Sequence, residues 1–253
     1  MRSTDSGLSW GEATPGGPAF LGSLFADPFQ SGRLFAATEE SSTGPTRVAV
    51  WRTADAGRSW ARRHAGLPVT CTHIASVDVC PSLYAVTSDP RNPDRMLMSF
   101  GGSGGLFSAD PGVYVSPNGG RRWQLAAQSP PGIVISFAVD PTPSGTVFLA
   151  GTSKGIYRSA DGGNHWSKLA TSGLPVDAAV RQLLHDGQSG AWYAVTEGEG
   201  IFRSTDGGTT WAGINAGLPD VARPVVVVDP QAPGRLFAAV RGQGLWSWST
   251  PGS

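Results

Sequence analysis

The segment Arg203–Trp211 reads RSTDGGTTW, and four other stretches of the chain align with it without gaps. They are RSTDSGLSW (Arg2–Trp10), RTADAGRSW (Arg52–Trp60), VSPNGGRRW (Val115–Trp123) and RSADGGNHW (Arg158–Trp166). The common core, residues 3–10, 53–60, 116–123, 159–166 and 204–211, is Ser/Thr-x-Asp-x-Gly-x-x-Trp. Its acidic position falls at Asp5, Asp55, Asn118 (the one amide), Asp161 and Asp206, at spacings of 50, 63, 43 and 45 residues. Each residue type has a physical task. A carboxylate or amide at a turn accepts hydrogen bonds from nearby backbone N–H groups. The glycine two positions on admits a positive φ. The tryptophans, Trp10, Trp60, Trp123, Trp166 and Trp211, are large apolar anchors.

Outward from these turns the chain reads as short strands. Before them stand VAVWR (Val48–Arg52), VYV (Val113–Val115), IYR (Ile156–Arg158) and IFR (Ile201–Arg203). A strand, a tight Asp/Gly turn and a second strand make a hairpin. A second repeat lies between the turns: Asp27-Pro28, Asp89-Pro90, Asp140-Pro141 and Asp229-Pro230, with Asp186-Gly187 in the equivalent place. Apolar runs flank each, such as IVISFAV (Ile133–Val139) before and RLFAAV (Arg235–Val240) after. AVRQLLHD (Ala179–Asp186) has a helical look, but its register in the repeat makes it a strand. One unit is therefore strand A, Asp-Pro turn, strand B, loop, strand C, Asp/Gly turn, strand D. Four strands in about 45 residues is the size of one propeller blade. The expected fold is all-β, a single β-propeller domain over residues 1–253 with five four-stranded blades. The last A-B-C unit, ending LWSWS (Leu245–Ser249), has no turn after it, and the first turn has no unit before it. The N-terminal strand is thus expected to complete the last blade and close the ring, which removes exposed sheet edges. The rival expectation is an arc of a larger propeller.

The repeated turns resemble the BNR/Asp-box repeats of sialidases, xyloglucanases, the sortilin luminal domain and the photosystem II assembly factor, over essentially the whole chain. In that superfamily the repeat is a structural element on the rim and serves enzymes and binding proteins alike, so the fold does not carry a function with it. The sialidase site resembles this sequence poorly. Its Arg-Ile-Pro segment is missing, Ala222-Arg223-Pro224 being nearest. Tyr114 and Tyr157 hold strand-C positions, while Tyr84 and Tyr193 sit in apolar strands. Arg181, Arg223 and Arg241 are not explained by the repeat and suit an anion clamp, since guanidinium matches carboxylates. A xyloglucanase-type inverting hydrolase needs two carboxylates about 6.5–9.5 Å apart. Off the repeat the candidates are Glu39, Glu40, Asp78, Asp110, Asp177, Glu197 and Glu199.

In propellers of this strand order the D-to-A and B-to-C connections share one face, opposite the Asp-Pro and Asp/Gly turns. Three long connections, Thr70–Ser82, Gly101–Gly112 and Glu39–Thr46, are expected on one sector of that face. Long loops on a rigid scaffold concentrate binding. The expected ligand-binding residues are Glu39, Glu40, His73, Asp78, Phe107, Asp110, Arg181, Glu197, Arg223 and Arg241, with no catalytic residue assigned. Glu39, Lys154, Glu197 and Arg241 hold comparable B-to-C positions, and their mixed signs suit a binding mouth better than an acid/base pair. Cys71 and Cys80 fall in one insertion. A local disulfide ranks first, free thiols second, and a metal site with His64 and His73 last, because the spacing matches no standard zinc pattern.

The bulk composition agrees. Glycine (35) and proline (20) together exceed a fifth of the 253 residues, against about 12% in average proteins, which fits many turns. Lys+Arg and Asp+Glu balance at 19 each, and without a basic field the chain is no nucleic-acid binder. No apolar run approaches the roughly 20 residues of a membrane span, and MRSTDSGLSW lacks the apolar core of a signal peptide. The expectation is a monomeric, non-catalytic scaffold for a protein or glycan ligand, without cofactor or metal. The alternative is a glycoside hydrolase of the sialidase or xyloglucanase type. The compartment is left open: extracellular or periplasmic if a leader precedes the chain, cytoplasmic otherwise.

Overall fold

The computed structural model describes residues 3, 5, 8–9, 11, 23–27, 29–40, 47–68, 70–74, 77–102, 112–142, 145–218, 223–240 and 242–249. These residues form strands and turns and no helix, so none crosses a membrane as a helix. The chain divides into two compact units, Met1–Ala126 and Ala127–Ser253.

The first unit holds two four-stranded antiparallel sheets and a small two-stranded one. One sheet runs β1 (Ser23–Ala26), β2 (Leu34–Glu40), β3 (Arg47–Thr53), β4 (Ala61–Arg62) in chain order. The other is β7 (Pro81–Ser88), β8 (Met96–Gly102), β9 (Gly112–Ser116), β10 (Gln124–Leu125), again in chain order. Between them β5 (Thr72–Ile74) pairs with β6 (Val77–Val79). The core joins Phe35, Val50, Met98, Phe100, Tyr114 and Trp123.

The second unit repeats the pattern. Its sheets are β11 (Val134–Thr142) to β12 (Gly145–Thr152), β13 (Gly155–Ser159) and β14 (Ser167–Lys168), then β15 (Val180–His185), β16 (Trp192–Thr196), β17 (Gly200–Ser204) and β18 (Ala212–Gly213). A third sheet of three strands follows: β19 (Val225–Val228), β20 (Arg235–Val240), β21 (Gly244–Ser249). β16 shows why such strands are apolar throughout. Side chains alternate faces along a strand. Trp192 and Ala194 join the core shared with the preceding sheet, and Tyr193 and Val195 join the core shared with the following one. Both faces are covered, and all five residues are buried. The stretch Ala179–Asp186 is indeed a strand, as its register requires.

The Asp-Pro turns share one hydrogen-bond scheme. The N–H groups of Asp27, Asp89 and Asp229 donate to the carbonyls of Arg33, Arg95 and Arg235, each at 2.9 Å, and Asp186 donates to Ala191 at 2.8 Å. Each carboxylate accepts from the N–H two residues on, at 2.9 Å, in an Asx turn. Asp140-Pro141 differs, lying in the β11–β12 ladder opposite Val147 and Thr146. Where Asn92 and Ala232 donate back to Asp89 and Asp229, this turn has Pro143, which has no N–H to give.

Neighbouring sheets of one unit are latched to each other by hydrogen bonds, at two levels in the second unit. Gln182 on β15 spans the gap between inner strands, its amide nitrogen donating to the Val226 carbonyl (2.7 Å) and its oxygen accepting from the Val226 N–H (3.0 Å). At the outer edge the chain leaving one sheet lies along the Ser/Thr-x-Asp turn of the next. Trp123 N–H donates to Ala65 (2.8 Å) in the first unit, and Trp211 N–H to Ser172 (2.9 Å) in the second.

Candidate functional site

The repeated turns are internally satisfied. Asp206 Oδ1 accepts from Ser204 Oγ (2.8 Å) and Thr210 N–H (2.8 Å), and Oδ2 from Thr210 Oγ1 (2.6 Å). Asp55 repeats this with Thr53 and Ser59, and Asp161 with Ser159 and His165. Asn118, without a charge, keeps the bonds to Ser116 and the Arg122 N–H. The Asp206 carboxyl is lowered to about 2 by bonds from the Thr210 hydroxyl, the Thr210 N–H and the Ser204 hydroxyl. The Ser59 and Thr53 hydroxyls hold the Asp55 carboxyl well below the usual carboxylate range. For Asp161 burial pulls upward, but the donors of His165 and Ser159 win and leave it at about 2. These carboxylates thus spend their hydrogen bonds within their own turns. Of the anchors, Trp123, Trp166 and Trp211 are buried and Trp60 is half-buried, while Trp10 lies outside the described residues.

Functional groups of a different kind gather at the opposite end of the second unit's sheets. Antiparallel pairing sets the start of strand A beside the end of strand B: Val180 pairs with Thr196, and Glu197 N–H donates to the Ala179 carbonyl at 2.8 Å. The β16–β17 turn thereby brings Glu197 to Arg181, whose Nη1 donates to Oε2 at 3.0 Å. The segment entering β19 supplies Arg223, whose Nη2 donates to Oε1 at 2.5 Å. All three side chains are well exposed. The Arg181 hydrogen bond, outweighing partial burial, and the charges of Arg181 and Arg223 hold the Glu197 carboxyl below its usual range. Of the three arginines expected to form an anion clamp, Arg181 and Arg223 are thus both ion-paired to the Glu197 carboxylate, and Arg241 lies outside the described residues.

Beside it runs a cleft of ≈ 330 Å³ between β13–β14 and the segment entering β15, lined by Ile156, Leu169, Leu174, Val176 and Val180. Lys168 and Asp177 make an ion pair at its wall. Hydrogen bonding to Lys168 lowers the Asp177 carboxyl and raises the lysine. Asp177 adopts φ 54°, a left-handed conformation that costs a non-glycine residue roughly 1–3 kcal/mol. Val176 beside it is 93% exposed. Asp177 was among the sequence candidates, but Lys168 was not. Only the approach of a connection to an outer strand brings them together, and no local pattern announces it.

The remaining expected ligand residues are placed less completely. Glu39 and Glu40 end β2 in ladder with Val48 and Arg47, so they belong to a strand and not to a loop. The expected loop Thr70–Ser82 is largely the β5–β6 hairpin, in which His73 and Asp78 are cross-strand partners, and Ser82 is already in β7. Gly101 and Gly102 likewise prolong β8. The side chains of Glu39, Glu40, His73 and Asp78, and all of Phe107, Asp110 and Arg241, lie outside the described residues. Among those described, no cluster of His, Cys, Asp or Glu could hold a metal ion.

Cys71 and Cys80 are joined by a disulfide with an S–S distance of 2.00 Å, flanking the β5–β6 hairpin. Both are buried in the first unit's core with Leu67 and Leu83. The cross-link closes a loop of sequence separation 9, and chain-entropy reasoning assigns about 3 kcal/mol to a loop of that size. Replacing both cysteines by serine is expected to cost at least that much, since two buried hydroxyls add to it. Urea unfolding of the variant against the parent measures this.

No family model and no curated protein matches the sequence. Solved structures do match. A GH74 enzyme of Niastella koreensis aligns with a TM-score of 0.62 and 17% identity over 86% of this chain and 33% of that one. YCF48 bound to D1 peptide aligns with a TM-score of 0.55 and 19% identity over 91% of this chain and 67% of that one. An α-L-arabinanase of Penicillium chrysogenum, complexed with arabinobiose, gives 0.51 and 13% over 88% and 74%. The chain thus spans only about a third of the GH74 enzyme. At these identities the likeness shows the fold, and it agrees with the five antiparallel sheets of three or four strands: the chain has β-propeller architecture.

Proposed function

We propose that the chain is a five-bladed Asp-box propeller, a single domain that binds a protein or glycan ligand without turning it over. Its polar anchor is the Arg181–Glu197–Arg223 group. The observation that carries this reading is the state of Glu197, the carboxylate at the loop-bearing end of the sheets. It is gripped by two guanidinium groups at 3.0 and 2.5 Å and held ionised. A glycosidase acid needs the reverse, a carboxyl whose pKa is raised by its surroundings. Every described carboxyl with a resolved shift moves down: Asp5, Asp55, Asp161, Asp177, Asp186, Glu197 and Asp206. Paired exposed arginines beside a half-apolar cleft suit a ligand that presents a carboxylate next to apolar groups. YCF48, of the same fold, binds D1 peptide, so the fold is compatible with a peptide ligand. The Cys71–Cys80 disulfide fits an oxidising compartment.

The glycoside hydrolase reading is favoured by the fold likeness to the GH74 enzyme. Two measurements on the purified chain separate the two readings. The first is release of reducing sugar from xyloglucan and of sialic acid from sialyllactose. The second is binding to arrays of acidic peptides and acidic oligosaccharides. The expected result is no turnover, with a binding signal that falls at least tenfold in Arg181→Ala/Arg223→Ala and rises in Glu197→Gln, which frees both arginines. Turnover abolished by Glu197→Gln or Asp177→Asn would establish the hydrolase instead.

A further inference from the structure

Two equivalent places in the repeat are filled differently. Val50, Leu67 and Leu83 of the first unit hold the repeat positions of Ile156, Leu174 and Val180 of the second. Val50 and Ile156 stand three residues before the Ser/Thr that opens the Asp turn, and both leucines follow the glycine of a Gly-Leu-Pro. Leu83 and Val180 are each the residue at which the strand-A ladder shifts register. In the first unit the Cys71–Cys80 disulfide joins these three in the core, and Leu67 is buried. The connection from β14 to β15 carries no such hairpin. There Leu174 is only partly buried, Val176 is 93% exposed, and the cleft of ≈ 330 Å³ stays open.

The lining of this cleft selects a class of occupant. Its larger apolar residues are aliphatic, Ile156, Leu169, Leu174, Pro175, Val176 and Val180, and none of its described residues is aromatic. A sugar ring binds by laying its C–H face on an aromatic ring while several side chains meet its hydroxyls. The polar side chains here are Lys168, Thr171 and Asp177, and two of those are paired with each other. A branched aliphatic side chain needs neither device, because burial of its methyl groups drives binding. The strand beside the cleft points the same way. β14 is the outer strand of its sheet, with no strand paired beyond it among the described residues. Such an edge presents backbone N–H and C=O groups that an extended peptide matches in spacing and a glycan does not. Charge adds the last condition. Lys168 and Asp177 neutralise each other, whereas Arg181 and Arg223 against Glu197 leave one positive charge over, which favours an acidic ligand.

We propose that this cleft takes a branched aliphatic side chain from an extended acidic segment of a partner protein, and that a carboxylate of the same segment pairs with Arg181 and Arg223. The proposal rests on the ligand-binding reading and narrows its ligand from protein or glycan to protein.

The test titrates the full chain with end-blocked peptides carrying one leucine and one glutamate, one to three residues apart, in a glycine-serine background. Relatives with alanine for leucine or glutamine for glutamate, and oligogalacturonate as an acidic glycan, complete the set. The leucine-glutamate peptides are expected to bind, and alanine in place of leucine is expected to weaken them at least tenfold. Ala170→Trp, which sets an indole at an exposed position of the cleft wall, is expected to weaken them as much with Tm unchanged. The peptide series leaves the protein unaltered, so it decides the point even where a variant folds poorly. Binding that ignores both the leucine and Ala170→Trp but is lost in Arg181→Ala/Arg223→Ala overturns the cleft and leaves the ligand-binding reading standing. Oligogalacturonate binding without peptide binding does the same. Leucine-dependent binding that is indifferent to the arginine variant upholds the cleft and overturns the arginine anchor. Binding of no probe overturns both.

Discussion

Replacing Gly173 by alanine is expected to destabilise the protein by roughly 3–5 kcal/mol, a Tm loss on the order of 10 °C. The glycine sits at φ +82°, where a side chain is strained, and its Cβ would overlap the Trp211 carbonyl oxygen at 1.9 Å. Neither side of that overlap yields easily. Ser172 N–H donates to Thr209 (3.0 Å) and Trp211 N–H donates to Ser172 (2.9 Å), so the two segments are tied at the contact. Relief requires breaking these bonds, each worth about 1 kcal/mol net, and shifting an indole out of a packed core. Gly66→Ala, with 2.0 Å to the Trp123 carbonyl, is expected to behave the same way. Gly207→Ala supplies the control: at φ +73° it meets no atom within 4 Å and should lose only about 1 kcal/mol through strain. Thermal unfolding of the three variants side by side measures the latch, and equal losses for Gly173 and Gly207 would show that the inter-sheet contact contributes nothing.

The second large effect lies at the Asp-Pro end of the first unit. Arg33 is buried, and its Nε donates to Asp27 Oδ2 at 2.6 Å while Nη1 donates to the Pro93 carbonyl at 2.8 Å. Ser88 Oγ donates to the other oxygen of Asp27 at 2.7 Å. One ion pair thus ties the first Asp-Pro turn to the sheet that follows it. Arg33→Ala leaves a buried carboxylate without its cation, and breaking a buried pair on one side costs roughly 3–5 kcal/mol. Arg33→Ala/Asp27→Asn is expected to recover part of that loss, because the charge goes with its partner. The double-mutant cycle read by urea unfolding decides the point. Additive losses in the double variant would mean the pair is not coupled.

The two latches differ in how far the chain announces them. The glycine contact has a signature, Gly-Leu-Pro at Gly66-Leu67-Pro68, Gly173-Leu174-Pro175 and Gly217-Leu218-Pro219, a third repeat phased with the tryptophans. Its meaning is not local, since the atom that excludes a Cβ belongs to a turn 57 residues on from Gly66 and 38 residues on from Gly173. Arg33 reads as no more than the first residue of a strand. Its burial follows from the approach of Pro93 and Ser88, which no pattern around residue 33 specifies. The same holds at the candidate site. Arg181 and Arg223 stood out as arginines the repeat did not need, and Glu197 as a loop carboxylate. That the three form one ion-paired group depends on which connections meet at the end of β15.

What the sequence determined by itself was the repeat and its consequences: strand order A-B-C-D, the hydrogen-bonded Asp turns, the buried tryptophans and the strand character of Ala179–Asp186. These are legible because turn chemistry and side-chain alternation act over a few residues, and recurrence multiplies the signal. The tertiary structure alone decided that Glu39 and Glu40 extend a ladder, that Asp140 leaves the Asx scheme, that Lys168 reaches Asp177, and that Glu197 pairs with both Arg181 and Arg223. Each of these turns on the distance between segments far apart in the chain, set by how neighbouring sheets pack. Local sequence specifies the sheets, and packing between them specifies the site.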